Sequence, residues 1–120
     1  YSYSGRLLNR WGNSGNRIGL VFSWDSAEDY LEVVFAQTGQ AYLNLHMEGT
    51  LYRLATGTHN VPRNVWFNVE VIRRGTTATV RLNGSPLFQN VQIGQQPTGG
   101  FGVVSHFSLG RFDNLTLREL

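Results

Sequence analysis

The sequence predicts an all-β fold, an antiparallel β-sandwich in one domain over residues 1–120. Three observations carry that reading. Apolar and polar residues alternate with period two along most of the chain, as strands with one buried face require. Gly, Asn and Asp break the alternation at short intervals, where tight turns need them. No segment sustains a helical repeat of 3.6 residues. Ser26–Ala36 comes nearest, with Ala27, Tyr30, Leu31 and Val34 at helical spacing, but its β-branched and aromatic residues favour a strand.

Strands are predicted at Ser4–Asn9, Arg17–Trp24, Tyr30–Ala36, Ala41–Met47, Leu51–Ala55, Trp66–Arg73, Thr77–Asn83, Pro86–Val91, Phe101–Phe107 and Arg111–Arg118. Residues 11–16 read as a loop. Thr38-Gly39, Glu48-Gly49, Arg74-Gly75 and Asn83-Gly84 read as hairpin turns in which Gly supplies a positive φ. Thr56–Asn64 and Gly94–Gly100 read as longer connections. Parity then sorts the faces. Leu31, Val33 and Phe35 point inward, as do Ala41, Leu43, Leu45 and Met47 on the next strand. Phe67, Val69 and Val71 follow, then Ala78, Val80 and Leu82. The opposite parity expects Tyr30, Glu32, Tyr42, Asn44, His46 and Arg53 on the outer face of one sheet, together with Asn68, Glu70 and Arg81.

Composition excludes several classes. Hydrophobic residues make up 41% of the chain and charged residues 15%, a balance that supports a core and argues against disorder. The ten basic residues are all Arg and are scattered along the chain, with only Arg73 and Arg74 adjacent, so no basic run points to nucleic acid. No apolar run approaches the ~20 residues that span a bilayer as a helix. Without Cys there is no disulfide framework. The chain opens at Tyr1 without Met and reads as a mature or excised piece of a secreted or surface protein.

Several motifs then fall in a telling order. Gly19-Leu20-Val21-Phe22, the acidic turn Asp25–Asp29 and Tyr30-Leu31-Glu32-Val33 resemble paired strands of concanavalin A-like jelly rolls. Thr79-Val80-Arg81-Leu82-Asn83-Gly84 is similar to the V-x-L-N-G hairpin of laminin G-like domains. Gly100-Phe101-Gly102-Val103, followed by Phe112-Asp113-Asn114-Leu115, resembles the closing strands of carbohydrate-binding modules of this fold. The resemblance covers residues 17–117 and implies a concanavalin A-like jelly roll. It also implies a structural Ca²⁺ with Asp113 as a ligand, since a carboxylate joined by carbonyl oxygens is a hard-ion donor set. Such domains usually begin with further strands, so the short N-terminal region implies a compact variant or an absent strand. An absent strand would leave a sheet edge open to a neighbouring domain or subunit.

The fold itself hosts lectins, glycanases and protein-binding modules, so function rests on the residues. The Glu-x-Asp-x-x-Glu strand of the glucanases with this fold is absent. His46, His59 and His106 stand apart, with no neighbour at metal-ligand or triad spacing. A sugar site stacks a ring on the pyranose face and flanks it with hydroxyl-binding groups. Trp11 in its Gly/Asn-rich loop, with Tyr42, His46, Arg53 and Arg81, supplies that chemistry. The expectation is a non-catalytic module that binds a glycan or polysaccharide within a larger extracytoplasmic protein. The alternatives are a laminin G-like assembly or protein-interaction domain and a fragment of a glycan-active enzyme.

Overall fold

The computed structural model describes residues 1–10, 15–106 and 110–120. Ten strands run in sequence order: β1 (Ser2–Leu8), β2 (Arg17–Ser26), β3 (Asp29–Ala36), β4 (Gln40–Met47), β5 (Thr50–Thr58), β6 (Phe67–Arg74), β7 (Thr77–Leu82), β8 (Ser85–Gln92), β9 (Gly99–His106) and β10 (Arg111–Arg118). Each predicted strand is present. Phe107, expected to end the ninth, lies outside the described residues. β5 runs three residues past its expected end. A register shift opposite Leu43 and Asn44 lets its pairing with β4 continue to Gln40 and Thr58.

The strands form two five-stranded antiparallel sheets, ordered β10-β1-β6-β7-β8 and β5-β4-β3-β2-β9. Inward residues of both sheets interleave in one core, with Phe22, Phe35 and Phe67 at its centre beside Leu7, Ile18 and Leu43. Phe35 and Phe67 meet edge-on across the layers at 5.3 Å between ring centres. The turns follow their chemistry. At the β7–β8 hairpin Asn83 and Gly84 both have positive φ, 51° and 82°. The Asn83 side-chain oxygen accepts the Asn68 amide at 2.8 Å, which ties that turn to β6.

The expectation of a single outer face carrying all nine polar residues is corrected. Tyr30, Glu32, Tyr42, Asn44, His46 and Arg53 lie on β3–β5, whereas Asn68, Glu70 and Arg81 lie on β6 and β7 of the other sheet. The two outer faces point in opposite directions. Parity distinguishes in from out but does not assign a strand to a sheet, and the chain changes sheet between β5 and β6.

The two sides of the sandwich differ. On one, Gly57 of β5 comes so close to β8 that a Cβ there would lie 3.0 Å from the Phe88 ring. On the other, edge strands β9 and β10 leave inward-facing apolar residues in the open: Phe101 is 36% exposed, Val103 40%, Leu115 49% and Leu117 51%. Phe101 still packs on Tyr1 and Tyr3, each at 4.9 Å between ring centres.

Arg73 occupies an inward position of β6 at 7% exposure. Its guanidinium donates to the carbonyls of Gly75, Gly94, Gln95 and Pro97 and to the Ser23 hydroxyl. Burial of this cation is tolerated because its donors meet acceptors, and it holds the 94–97 segment against the sheet. His59 is a second, half-buried anchor. Its Nε2–H donates to the Ala36 carbonyl at 2.7 Å, and its Nδ1 accepts the Val61 amide at 3.2 Å. Burial pushes the imidazole below its ordinary value, opposed by the bond to Ala36. As pH falls through the ordinary histidine range, about 6.5, the unfolded chain takes up a proton that folded His59 resists. Stability from this residue is therefore present above that range and declines as pH drops through it. The urea midpoint is expected to fall between about pH 7.5 and 5.5, and His59→Gln to flatten that fall. Equal pH slopes in the two proteins would contradict this role.

Candidate functional site

Cross-strand register builds the site. Leu31 faces Leu45, Val33 faces Leu43 and Phe35 faces Ala41, and these pairs enter the core. The alternate pairs are thereby fixed on the outer face, with Tyr30 opposite His46, Glu32 opposite Asn44 and Val34 opposite Tyr42. Arg53 of β5 lies opposite Asn44 and extends that row.

Three rings form a ladder across β2, β3 and β4. Trp24 stacks on Tyr30 at 4.9 Å and 30°, and Tyr30 stacks on His46 at 4.1 Å and 13°. Trp24 remains 41% exposed. Its backbone is fixed by β9, which passes so close that a Cβ on Gly99 would sit 1.9 Å from the Trp24 carbonyl oxygen. Beside the ladder lies Glu32, only 6% exposed although it is on an outer face. Its Oε1 bonds His46 Nε2 at 2.8 Å. Its Oε2 is buried and has no hydrogen-bond partner among the described residues. Burial, and then the Glu32 charge, hold the Tyr30 hydroxyl above its ordinary pKa, so it stays a neutral donor. Asn44 is buried at 1% exposure, and its Oδ1 accepts from Arg53 Nε at 3.4 Å. Arg53 also lies over the Tyr42 ring at 3.8 Å, with Arg17 at 5.9 Å from the same ring centre.

Of the residues singled out from sequence, Tyr42, His46 and Arg53 come together here. Arg81 does not: it lies on β7 in the opposite sheet and pairs with Glu70 at 3.7 Å. Trp11 lies outside the described residues. The set missed Trp24, Tyr30 and Glu32 as partners. The signal for Trp24 was its place at the end of a strand beside an acidic turn. That turn is structural. Asp25 accepts the Thr98 amide at 3.2 Å, and Asp29 accepts the Glu48 amide and the Ser26 hydroxyl, each at 3.0 Å.

Asp113 does not fit the calcium role that the resemblance implies. Its Oδ1 accepts the Asn114 amide at 2.8 Å, and its Oδ2 faces the Arg6 guanidinium at 3.6 Å. A neighbouring cation opposes a divalent ion, which needs several more oxygen ligands. Among the described residues no three His, Cys, Asp or Glu side chains gather as a metal site. Glu32 and Glu70, both expected on one outer face, lie on opposite sheets.

Two facing antiparallel sheets in this order, with a ring-lined outer face, define a lectin-like jelly roll, as the motifs implied. The family follows from the sequence match: residues 22–120 match the model of the galactocerebrosidase C-terminal lectin domain, and the chain belongs to that family. Among solved structures, the carbohydrate-binding module CBM66 from Bacillus subtilis is similar at a TM-score of 0.84 and 14% identity, over 95% of this chain and 71% of that one. Sheep galectin-11, in complex with glycerol, is similar at a TM-score of 0.69 and 13% identity, over 97% of this chain and 86% of that one. Galectin LEC-6 of Caenorhabditis elegans is similar at 0.63 and 15%, over 94% and 81%. At these identities the likeness is one of fold. A search of curated proteins finds no match.

Proposed function

We propose that the outer face of the β5-β4-β3-β2-β9 sheet binds a glycan, with Trp24 supplying the stacking ring and Glu32, Asn44 and Arg53 engaging hydroxyls. The observation that carries this reading is the Glu32 carboxylate, buried beside a ring ladder with one oxygen unpartnered. A buried acceptor without a donor is costly and rare in folded proteins. A sugar hydroxyl, admitted by a shift of the neighbouring side chains, is the donor it lacks. The lectin-domain family and the carbohydrate-binding module of the same fold support the ligand class.

Binding occurs without turnover in this reading. Glu32 is the carboxylate at the centre of the face, while Asp25 and Asp29 are engaged in holding the β2–β3 turn. Among the described residues no second carboxylate stands across from Glu32 to serve as acid or nucleophile. On an array of neutral oligosaccharides, Trp24→Ala and Arg53→Ala are expected to weaken the tightest interactions by about tenfold each, in line with lost stacking and a lost charged hydrogen bond. Unchanged binding in both variants, with the fold intact by circular dichroism, would remove this face as the site.

The open side of the sandwich favours a second role, assembly by strand addition at β9. Gly99–Ser105 carries no charged residue and no Pro, the usual devices that protect an edge, whereas β8 has Pro86 and β10 has Arg111, Asp113 and Arg118. A second copy pairing antiparallel at β9 would cover Phe101 and Val103. Light scattering across a concentration series is expected to show a dimer that Val103→Lys dissociates. A wild-type monomer throughout the series would dismiss this role.

A further inference from the structure

Arg81 has no part in the glycan face, and its surroundings on the opposite sheet differ in kind. We propose that the outer face of the β10-β1-β6-β7-β8 sheet is a second binding surface, which takes an acidic polysaccharide bearing carboxylate or sulfate groups.

Folding gathers the arginines that the sequence scatters. Arg6, Arg74, Arg81, Arg111 and Arg118 all sit on strands of this sheet at outward positions. The outward carboxylates on the same strands are Glu70 and Asp113. Five positive charges less two negative leave +3 on the strands of this face, against a formal +2 for the whole chain. The surface is also shaped. A depression of about 370 Å³ is lined by Arg6 and Arg81 together with Glu70, and a second of about 330 Å³ by Arg74 and Arg81 with no carboxylate in its lining. Arg81 belongs to both, so the two depressions adjoin at its side chain.

The local pairs leave these groups available. Arg6 lies 3.6 Å from Asp113 and Arg81 lies 3.7 Å from Glu70, both at the long end for ion pairs, and neither guanidinium makes a hydrogen bond among the described residues. The other Glu70 oxygen, Oε2, accepts from the Ser2 hydroxyl at 2.7 Å. Each guanidinium meets its carboxylate through Nη1 alone, which leaves other N–H groups of the fork to reach a carboxylate or sulfate. Ser4, Asn68, Asn114 and Thr116 line the larger depression and supply groups for sugar hydroxyls. A neutral glycan fits poorly, because among the described residues the ring at this face, Trp66, is capped by Arg6 at 4.9 Å. Single-stranded nucleic acid fits poorly for the same reason, since its bases need open rings to stack on.

The test measures binding of the isolated chain to polygalacturonate, dextran sulfate, neutral dextran and duplex DNA. Polygalacturonate or dextran sulfate is expected to bind, distinguishing a carboxylate from a sulfate preference, and to weaken as salt rises, because exposed charges are screened. Arg6→Gln with Arg81→Gln is expected to weaken that interaction about tenfold while the thermal midpoint holds, and Trp24→Ala to leave it unchanged. Failure of both polyanions to bind, no effect of the double variant, or duplex DNA bound as tightly as the polysaccharides would each overturn the proposal. Loss of neutral-glycan binding alone would bear on the other face and leave this one standing.

Discussion

The register between β3 and β4 is the constraint on which the proposed glycan face depends. Because Leu31, Val33, Phe35, Ala41 and Leu43 must all enter the core, the two strands pair in one register. A slip of one residue would expose that apolar row to water and bury the polar one. The same constraint sets Tyr30 against His46 and Glu32 against Asn44. Glu32 therefore reaches its bond to His46 without any special local motif, and the ring ladder needs only Trp24 from β2 to complete it. Core packing and the proposed recognition are two faces of one pairing.

Buried polar groups play different parts at the two ends of the sandwich. Arg73 is fully engaged by carbonyls and the Ser23 hydroxyl, and fixes a loop. Glu32 is buried to a similar degree, yet keeps an oxygen without a partner. A satisfied cation reads as scaffold and an unsatisfied carboxylate as a place for an outside donor. In the proposed reading, the paired strands hold these side chains in place before a ligand arrives, which lowers the cost of binding.

Much of the fold was legible in the sequence because period-two alternation and turn chemistry agree throughout. Leu31, Val33 and Phe35 showed their inward parity directly, and Asn83-Gly84 showed its turn. The sheet to which each strand belongs was not legible. Arg81 and Arg53 have the same outward parity, yet the 59–66 connection carries the chain from one sheet to the other between them. Burial on an outer face was equally hidden. Glu32 and Asn44 read as solvated because their cover comes from His46 and Arg53 on adjacent strands, through contacts that no local pattern records. The gathering of five scattered arginines on one sheet follows from the same strand order.

The central claim is that glycan binding occurs on the β3–β4–β5 face. Its most direct test is ¹⁵N-detected chemical-shift mapping with the neutral oligosaccharide that binds tightest on an array. The account predicts shifts concentrated at the Trp24 indole N–H, the Arg53 Nε–H and the amides of β3 and β4. Shifts confined to the opposite sheet, or to the β9–β10 edge, would contradict it.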